Sequence, residues 1–181
     1  EFHSHAFTAR GGCLEMVQLW VNLPARHKLA EPGYQGIIAA DIPLLTLPDG
    51  AGSVRIIAGR YGEATGPART FTPMNVWDLR LQAGGHCELP LPDGDNVVLA
   101  VLAGGLRVNA DTRVDGPACI RLARSGGPVT LDADQDCKLL LLSGEPIDEP
   151  VAAYGPFVMN TEQELRTAVH EFHSGAFGVL S

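Results

Sequence analysis

The sequence predicts an all-β sandwich or barrel that ends in one helix, and three observations support this class. Apolar segments recur at spacings of about 8–12 residues between residues 44 and 144, which is typical of short antiparallel strands. Glycine and proline, 21 and 13 of the 181 residues, fall mainly in clusters that read as turns. Helical periodicity is confined to residues 161–172, near the end of the chain.

The first part of the chain contains one long strand candidate and two short ones. Residues 14–23 read LEMVQLWVNL, and because both faces of this segment would be mostly apolar, it predicts a strand buried on both sides. Residues 24–35 are polar and contain proline and glycine, so a loop is expected there. Residues 36–41 and 44–47 predict two further short strands.

Eight more strands are predicted before residue 145, most of them separated by glycine- or proline-containing turns. Their ranges are 53–59, 74–82, 86–91, 96–104, 106–110, 118–123, 129–133 and 137–144. In WDLRL, Trp77, Leu79 and Leu81 share one face while Asp78 and Arg80 share the other, which predicts a half-buried strand. The last range contains KLLLLS without alternation, so we expect that strand at the centre of its sheet.

The C-terminal part predicts an extended arm followed by a helix. Residues 145–160, EPIDEPVAAYGPFVMN, are punctuated by proline, and their apolar side chains need a surface to cover them. Thr161 as N-cap and Glu164 three residues later form a capping box that starts the helix. Its apolar stripe is spaced at one face of a helix and consists of Leu165, Ala168, Val169 and Phe172.

Composition excludes several classes of protein. The net charge of −8 argues against direct nucleic-acid binding, which needs a basic face. The longest apolar runs are far shorter than the roughly 18 residues that span a bilayer, so no membrane span is expected. The cysteines Cys13, Cys87, Cys119 and Cys137 are scattered, without a C-x-x-C spacing, and no signal-peptide pattern opens the chain. A cytoplasmic protein with reduced thiols is therefore expected.

The first candidate metal ligands are His3 and His5, which would lie on one face of a strand and could chelate one ion. A metal needs further donors, and Glu15 and His27 are the nearest downstream candidates. No carboxylate lies within a few residues after the histidine pair. The favoured interpretation is that both are polar residues near a chain end.

Other residue patterns give no specific chemistry. His86 stands alone, and His170 and His173 are three residues apart on the predicted helix, where a surface position is the favoured interpretation. The chain lacks a G-x-S-x-G elbow and a local Cys–His signature. Residues 59–68, GRYGEATGPA, lack the Gly-Lys-Ser/Thr ending of a P-loop, so their glycines are expected in turns.

Three segments together resemble the pirin family over essentially the whole chain. Residues 3–29, HSHAFTARGGCLEMVQLWVNLPARHKL, resemble the family segment Q-L-W-V-N-L-P, which closes the first of two cupin barrels. Residues 154–165, YGPFVMNTEQEL, resemble the family motif Y-G-P-F-V-M-N-T before the C-terminal helix. Residues 54–67, VRIIAGRYGEATGP, are similar to the opening of the second barrel.

The resemblance implies a cupin-type double-stranded β-barrel, or jelly roll, with a C-terminal helix. Residues 1–40 would be the closing strands of the first barrel plus a linker. Residues 41–148 would form the second barrel, and residues 149–181 would form an arm and a helix that pack back across both.

The resemblance also implies a metal, usually iron, in the first barrel of a longer parent protein. The family ligands are three histidines and a glutamate, and Glu1 is the best match to that glutamate. The three histidines would lie upstream, and His3 and His5 do not match the family's H-x-H. No metal is expected in the second barrel, because residues 104–109 (GGLRVN) and 118–123 (ACIRLA) occupy the cupin ligand positions without metal donors.

The family resemblance implies two functions. One is a quercetin 2,3-dioxygenase, in which the metal binds a flavonol and O₂ enters. The alternative is a non-enzymatic, metal-dependent and redox-sensitive binding partner of transcription factors or metabolic enzymes. The expected partners are therefore a flavonol-type small molecule or a protein, and the 181-residue chain alone is expected to be inactive.

Overall fold

The computed structural model describes residues 5–178, and strands dominate this part of the chain. The helices are α1 (His5–Arg10) and α2 (Glu162–His173), and short 3-10 helices cover Ala25–His27, Ala39–Asp41 and Pro48–Gly50. The strands are β1 (Leu44–Thr46), β2 (Gly52–Ala58), β3 (Arg60–Tyr61), β4 (Ala64–Thr65), β5 (Met74–Leu81), β6 (His86–Leu89), β7 (Asn96–Ala103), β8 (Gly105–Val108), β9 (Thr112–Asp115), β10 (Ala118–Arg121), β11 (Val129–Ala133), β12 (Cys137–Gly144), β13 (Ala152–Tyr154) and β14 (Phe157–Met159).

Two antiparallel sheets form the body of the fold. The larger sheet has the strand order β1-β2-β5-β12-β7-β10, and the smaller has the order β6-β11-β8-β9. The expected central position of residues 137–144 is confirmed, since β12 is hydrogen-bonded to β5 on one side and to β7 on the other. Because strands that are neighbours in the sheets are often distant in the chain, the two sheets form a jelly roll, as expected.

The core lies between the two sheets and is built from alternate residues of each strand. In β5, Trp77, Leu79 and Leu81 are buried, as the alternation in WDLRL predicts. On the neighbouring strand of the same sheet, Leu139 and Leu141 of β12 are paired with Leu79 and Trp77 and are fully buried. Burying one such apolar side chain stabilises a fold by roughly 1.5–3 kcal/mol. These cross-strand apolar contacts therefore stabilise the pairing of β5 with β12.

All nine strands predicted between residues 44 and 144 are present, and the structure adds three that the sequence did not predict. The strand β9 has one buried side chain, Val114, and pairs only with β8 at a sheet edge, so it shows no apolar alternation. The hairpin β3–β4 lies in the glycine-containing segment 59–68. Gly59, at the bend between β2 and β3, has φ 79°, and a Cβ there would clash with Asn75 Oδ1, so this bend needs glycine.

The structure contradicts the two strands predicted before residue 42. Residues 14–23 are mostly exposed and form no strand. Ala39–Asp41 is a 3-10 helix, whereas the sequence predicts a strand over residues 36–41. A strand is stabilised by backbone hydrogen bonds to a neighbour, and none of the described strands pairs with residues 14–23. The domain bounds 1–40, 41–148 and 149–181 stay predictions.

The C-terminal arm and helix fold against each other. The hairpin β13–β14 lies within the predicted arm and packs on α2. The predicted capping box is confirmed, because Thr161 Oγ1 accepts a hydrogen bond from the Glu164 N–H at 3.2 Å, and Glu164 Oε2 accepts one from the Thr161 N–H at 2.8 Å. The helix buries Leu165 and Ala168. None of the described helices has the length and apolarity needed to cross a bilayer.

We expect the isolated chain to self-associate through residues 14–21, because this segment exposes several large apolar side chains, including Trp20, which is 71% exposed. Replacing Trp20 with serine should weaken self-association about tenfold or more, since exposed aromatic residues often dominate such contacts. Sedimentation velocity over a range of concentrations measures this.

The matched control is Tyr34→Ser, which removes an aromatic ring that is 91% exposed outside the segment. This control should leave self-association unchanged. A monomer at all concentrations, or equal effects of both substitutions, would show that residues 14–21 are not a contact surface.

Candidate functional site

The interior of the jelly roll is filled by apolar side chains where a cupin would hold its metal. In residues 104–109, Leu106 and Val108 are buried in the core, while Arg107 is exposed. In residues 118–123, Ile120 packs against the core. The side chains that point inward from these two segments therefore carry no imidazole or carboxylate.

An aromatic pair borders this interior. The rings of Tyr61 and Trp77 meet edge to face with centroids 5.1 Å apart. Trp77 is buried, and its Nε1 has no hydrogen-bond partner among the described residues. Burial, together with the nearby Cys87 thiol, raises the pKa of Tyr61, so its hydroxyl stays protonated at neutral pH.

The two buried thiols are also unsuited to metal binding. Burial, with a smaller contribution from Asp132, raises the pKa of Cys87 to about 11. Burial also raises the pKa of Cys137, and its thiol donates hydrogen bonds to the carbonyl oxygens of Gly105 and Gln135, both at 3.0 Å. Because the thiolate is the form that binds metals, protonated thiols in this core are poor ligands.

The structure does not bring the candidate histidines of the N-terminal segment together. Glu1 and His3 lie outside the described residues, and His5 is exposed in α1. The two further candidates are engaged elsewhere: Glu15 forms an ion pair with Lys138, and the His27 ring lies 5.0 Å from that of Phe71.

The remaining histidines lie on separate surfaces. His86 Nδ1 is 2.7 Å from Asp132 Oδ1, on the outward face of the smaller sheet. His170 and His173 are exposed in the last turns of α2, as the sequence predicts. Within residues 5–178, no group of three or more histidine, cysteine, aspartate or glutamate side chains is placed to hold a metal ion.

The outward face of the larger sheet carries a cleft of about 550 Å³. Its floor includes Val76, Leu142 and Val98, which form one row because Leu142 is paired with the other two across neighbouring strands. Residues 19–22 line the opposite side. The volume lies within the roughly 300–1,000 Å³ typical of small-molecule sites.

Two polar contacts hold residues 15–25 over this sheet. At one end, the Glu15 carboxylate forms an ion pair with Lys138, and the hydrogen bond from Lys138 lowers the pKa of Glu15. At the other end, the Ala25 N–H donates to Glu149 Oε2 at 2.6 Å. The same oxygen accepts a hydrogen bond from Asn160 Nδ2 at 3.0 Å, which joins the segment to the C-terminal arm.

The rim of the cleft is acidic. Glu145, Asp148 and Glu149 contribute carboxylates, whereas Arg124 contributes a cation. Arg124 is already engaged, because its Nε donates to Asn96 Oδ1 at 2.9 Å and its guanidinium lies 3.3 Å from Asp148. The sequence gives no local signal for this cleft, since its residues come from five separate parts of the chain and form no motif.

The family model for the pirin C-terminal cupin domain matches residues 76–178, which is more than half of the chain. The chain belongs to the pirin family. The expected cupin-type fold is also confirmed by a crystal structure of quercetin 2,3-dioxygenase from Acinetobacter baumannii, which superposes with a TM-score of 0.86 at 42% identity. That likeness covers 90% of this chain and 56% of the other.

Two curated relatives extend the pirin-family match over nearly all of the chain. A Pseudomonas aeruginosa protein named "Putative quercetin 2,3-dioxygenase" is 48% identical over 98% of this chain. A "Pirin-like protein" of Caulobacter vibrioides is 40% identical over 97% of it. The chain spans only 62% and 63% of these two relatives, so each of them contains substantial sequence beyond the matched region.

The thiols of this pirin-family chain should separate into two classes of reactivity. Cys13 and Cys119 are exposed and should react fast with a disulfide reagent at pH 8, whereas Cys87 and Cys137 should react slowly. With a pKa of about 11, roughly one in a thousand Cys87 thiols is ionised at pH 8. Stopped-flow labelling with peptide mapping measures each rate.

In denaturant, all four thiols should react at similar rates, which provides the control. Fast labelling of Cys87 in the folded chain would contradict the protonated, buried state described here. It would also make this thiol a candidate metal ligand.

Proposed function

We propose that this chain is the metal-free second cupin barrel of a longer pirin-type protein that acts as a quercetin 2,3-dioxygenase. In that parent protein, Glu1 and upstream histidines of the first barrel would hold iron, which would supply the redox chemistry for flavonol oxidation by O₂. The single observation that carries this proposal is the 48% identity, over 98% of the chain, to a Pseudomonas aeruginosa protein bearing the dioxygenase name.

The filled interior supports the assignment of iron to the other barrel. An iron oxygenase site needs several nitrogen or oxygen donors together with open positions for substrate and O₂. The described residues do not suit such a site, because the inward side chains are aliphatic and the two buried thiols have raised pKa values. In our proposal Glu1 is one ligand of the first barrel, and upstream histidines are the others.

The contribution of this chain is then to hold the segment that leads from Glu1 to the second barrel. The Glu15–Lys138 ion pair and the Glu149 hydrogen bond to Ala25 attach residues 15–25 to the larger sheet and to the arm. Ordering the segment at both ends lowers the entropy cost of positioning a ligand that precedes it.

The alternative is a non-enzymatic, redox-sensitive partner of a transcription factor or a metabolic enzyme. The exposed apolar side chains of residues 14–21 favour it, because such patches often contact other proteins. The net charge of −8 supports a protein partner over direct contact with a nucleic acid or an anionic membrane. The four free cysteines support a cytoplasmic location for either function.

We expect the 181-residue chain to retain less than about one tenth of an equivalent of iron, zinc or copper after dialysis against a chelator, because metal affinity depends on the number of donors and their support. Plasma mass spectrometry measures this. The full-length protein, treated in the same way, is the positive control and should retain about one equivalent. A tightly bound equivalent in the short chain would contradict a metal-free second barrel.

We expect no flavonol oxidation by the 181-residue chain with added Fe²⁺ in air, and turnover by the full-length protein. Substituting Glu1→Ala in the latter should lower the rate on the order of 100-fold, since a metal ligand is lost. Loss of the quercetin absorbance measures the rate. The control Glu88→Ala removes an exposed carboxylate from the smaller sheet and should have no effect.

Two other outcomes are informative. Turnover by the short chain that depends on His3 and His5 but not on Glu1 would contradict the assignment of Glu1 and upstream histidines as the iron ligands. Full iron occupancy of the longer protein without any turnover would favour the binding-partner alternative.

A further inference from the structure

The cleft on the larger sheet combines an apolar floor with an acidic rim. The floor side chains Val76, Leu142 and Val98 are half-buried and offer a surface to an apolar group. Trp20 lines the cleft from the opposite side and is 71% exposed, so its indole ring is accessible. Such a floor suits a flat hydrocarbon body, because burial of apolar area is favourable and an aromatic ring stacks on an indole.

The charges around the cleft are not balanced by the protein itself. The Glu145 carboxylate has no hydrogen-bond or ion-pair partner among the described residues, although its backbone N–H donates to Pro73 O at 3.4 Å. Arg124, in contrast, is paired with Asp148. Asp95, the chain neighbour of the lining residue Asn96, lies close to Glu145. Burial, and then repulsion by the negative charge of Glu145, raise the pKa of Asp95. A cation between them would relieve this repulsion.

We propose that this cleft binds a small organic amine with an aromatic or branched apolar body. The body lies on Val76, Leu142 and Val98 beside the Trp20 ring, and the ammonium group lies at the Glu145 end. An anionic ligand of the same shape is repelled by the rim, so an ionised flavonol is not the ligand of this cleft. The proposal is therefore independent of the iron chemistry assigned to the first barrel.

Three naphthyl probes of equal shape test the charge preference. They are 2-(2-naphthyl)ethylamine, 2-(2-naphthyl)ethanol and 3-(2-naphthyl)propionate, titrated at pH 7 into the 181-residue chain. Calorimetry should give about tenfold tighter binding for the amine than for the alcohol, since one charged hydrogen bond is gained, and weaker binding still for the carboxylate. Methyl signals of Val76, Val98 and Leu142 should shift in the NMR spectrum.

Two substitutions with the same change of net charge locate the binding site. Glu145→Gln should weaken the amine about tenfold and leave the alcohol unchanged. Glu88→Gln, on the outward face of the smaller sheet, should change neither affinity. Both residues are exposed, so both variants should fold, and circular dichroism verifies this.

Several results would overturn the proposal. Equal affinities for the three probes, or equal effects of the two substitutions, would show that the rim does not select a cation. Competition by quercetin at comparable affinity would assign the cleft to the flavonol. Methyl shifts that follow the concentration of the chain and do not change further when the amine is added would assign the cleft to a second copy. Because Glu145→Gln should not alter flavonol turnover in the full-length protein, failure here is distinguishable from failure of the dioxygenase proposal.

Discussion

The structure depends on the position of β12, which is hydrogen-bonded to both β5 and β7 in the middle of the larger sheet. This double pairing sets Leu139 and Leu141 between the inward side chains of two neighbouring strands. The interior is filled by apolar side chains. The inward positions at which a cupin would hold its metal carry Leu106, Val108 and Ile120. Functional groups of the described chain are consequently found on its outward faces.

The residues of β12 that alternate with these inward leucines lie on the outward face of the larger sheet, and this face is only partly covered. Leu140 and Leu142 point away from the core, yet both are at least half-buried, because residues 15–25 and the C-terminal arm lie over this face. The segment is attached by side chains and by one backbone N–H instead of a strand ladder, so it can lie across the strands without matching their register. The space between these attachments is the cleft, and its acidic rim comes from the loop after β12.

Local patterns predicted the parts of the fold that depend on neighbours in sequence. The alternation in WDLRL and the capping box at Thr161 are examples, since both are determined within eight residues. The apolar residues at positions 14–23 predict a strand, but a strand also needs a neighbouring strand with which to form backbone hydrogen bonds. The sequence pattern contains no information about that neighbour. The contact between Glu15 and Lys138 spans 123 positions and leaves no local signal, so the cleft could not be predicted. Glu1 lies outside the described residues, and its role stays a prediction.

A metal site inside this barrel would be costly to create. Replacing a core residue such as Leu106 with histidine would bury an imidazole among aliphatic groups, where an unpaired polar group costs roughly 1–3 kcal/mol and the overpacked volume costs a similar amount. At least three such substitutions are needed before the free energy of metal binding offsets the stability that they cost. A stable domain of this size has only about 5–15 kcal/mol in total, so the intermediate steps would approach unfolding. In the longer parent protein that we propose, the metal ligands therefore lie in the first barrel, and this chain supplies a filled core.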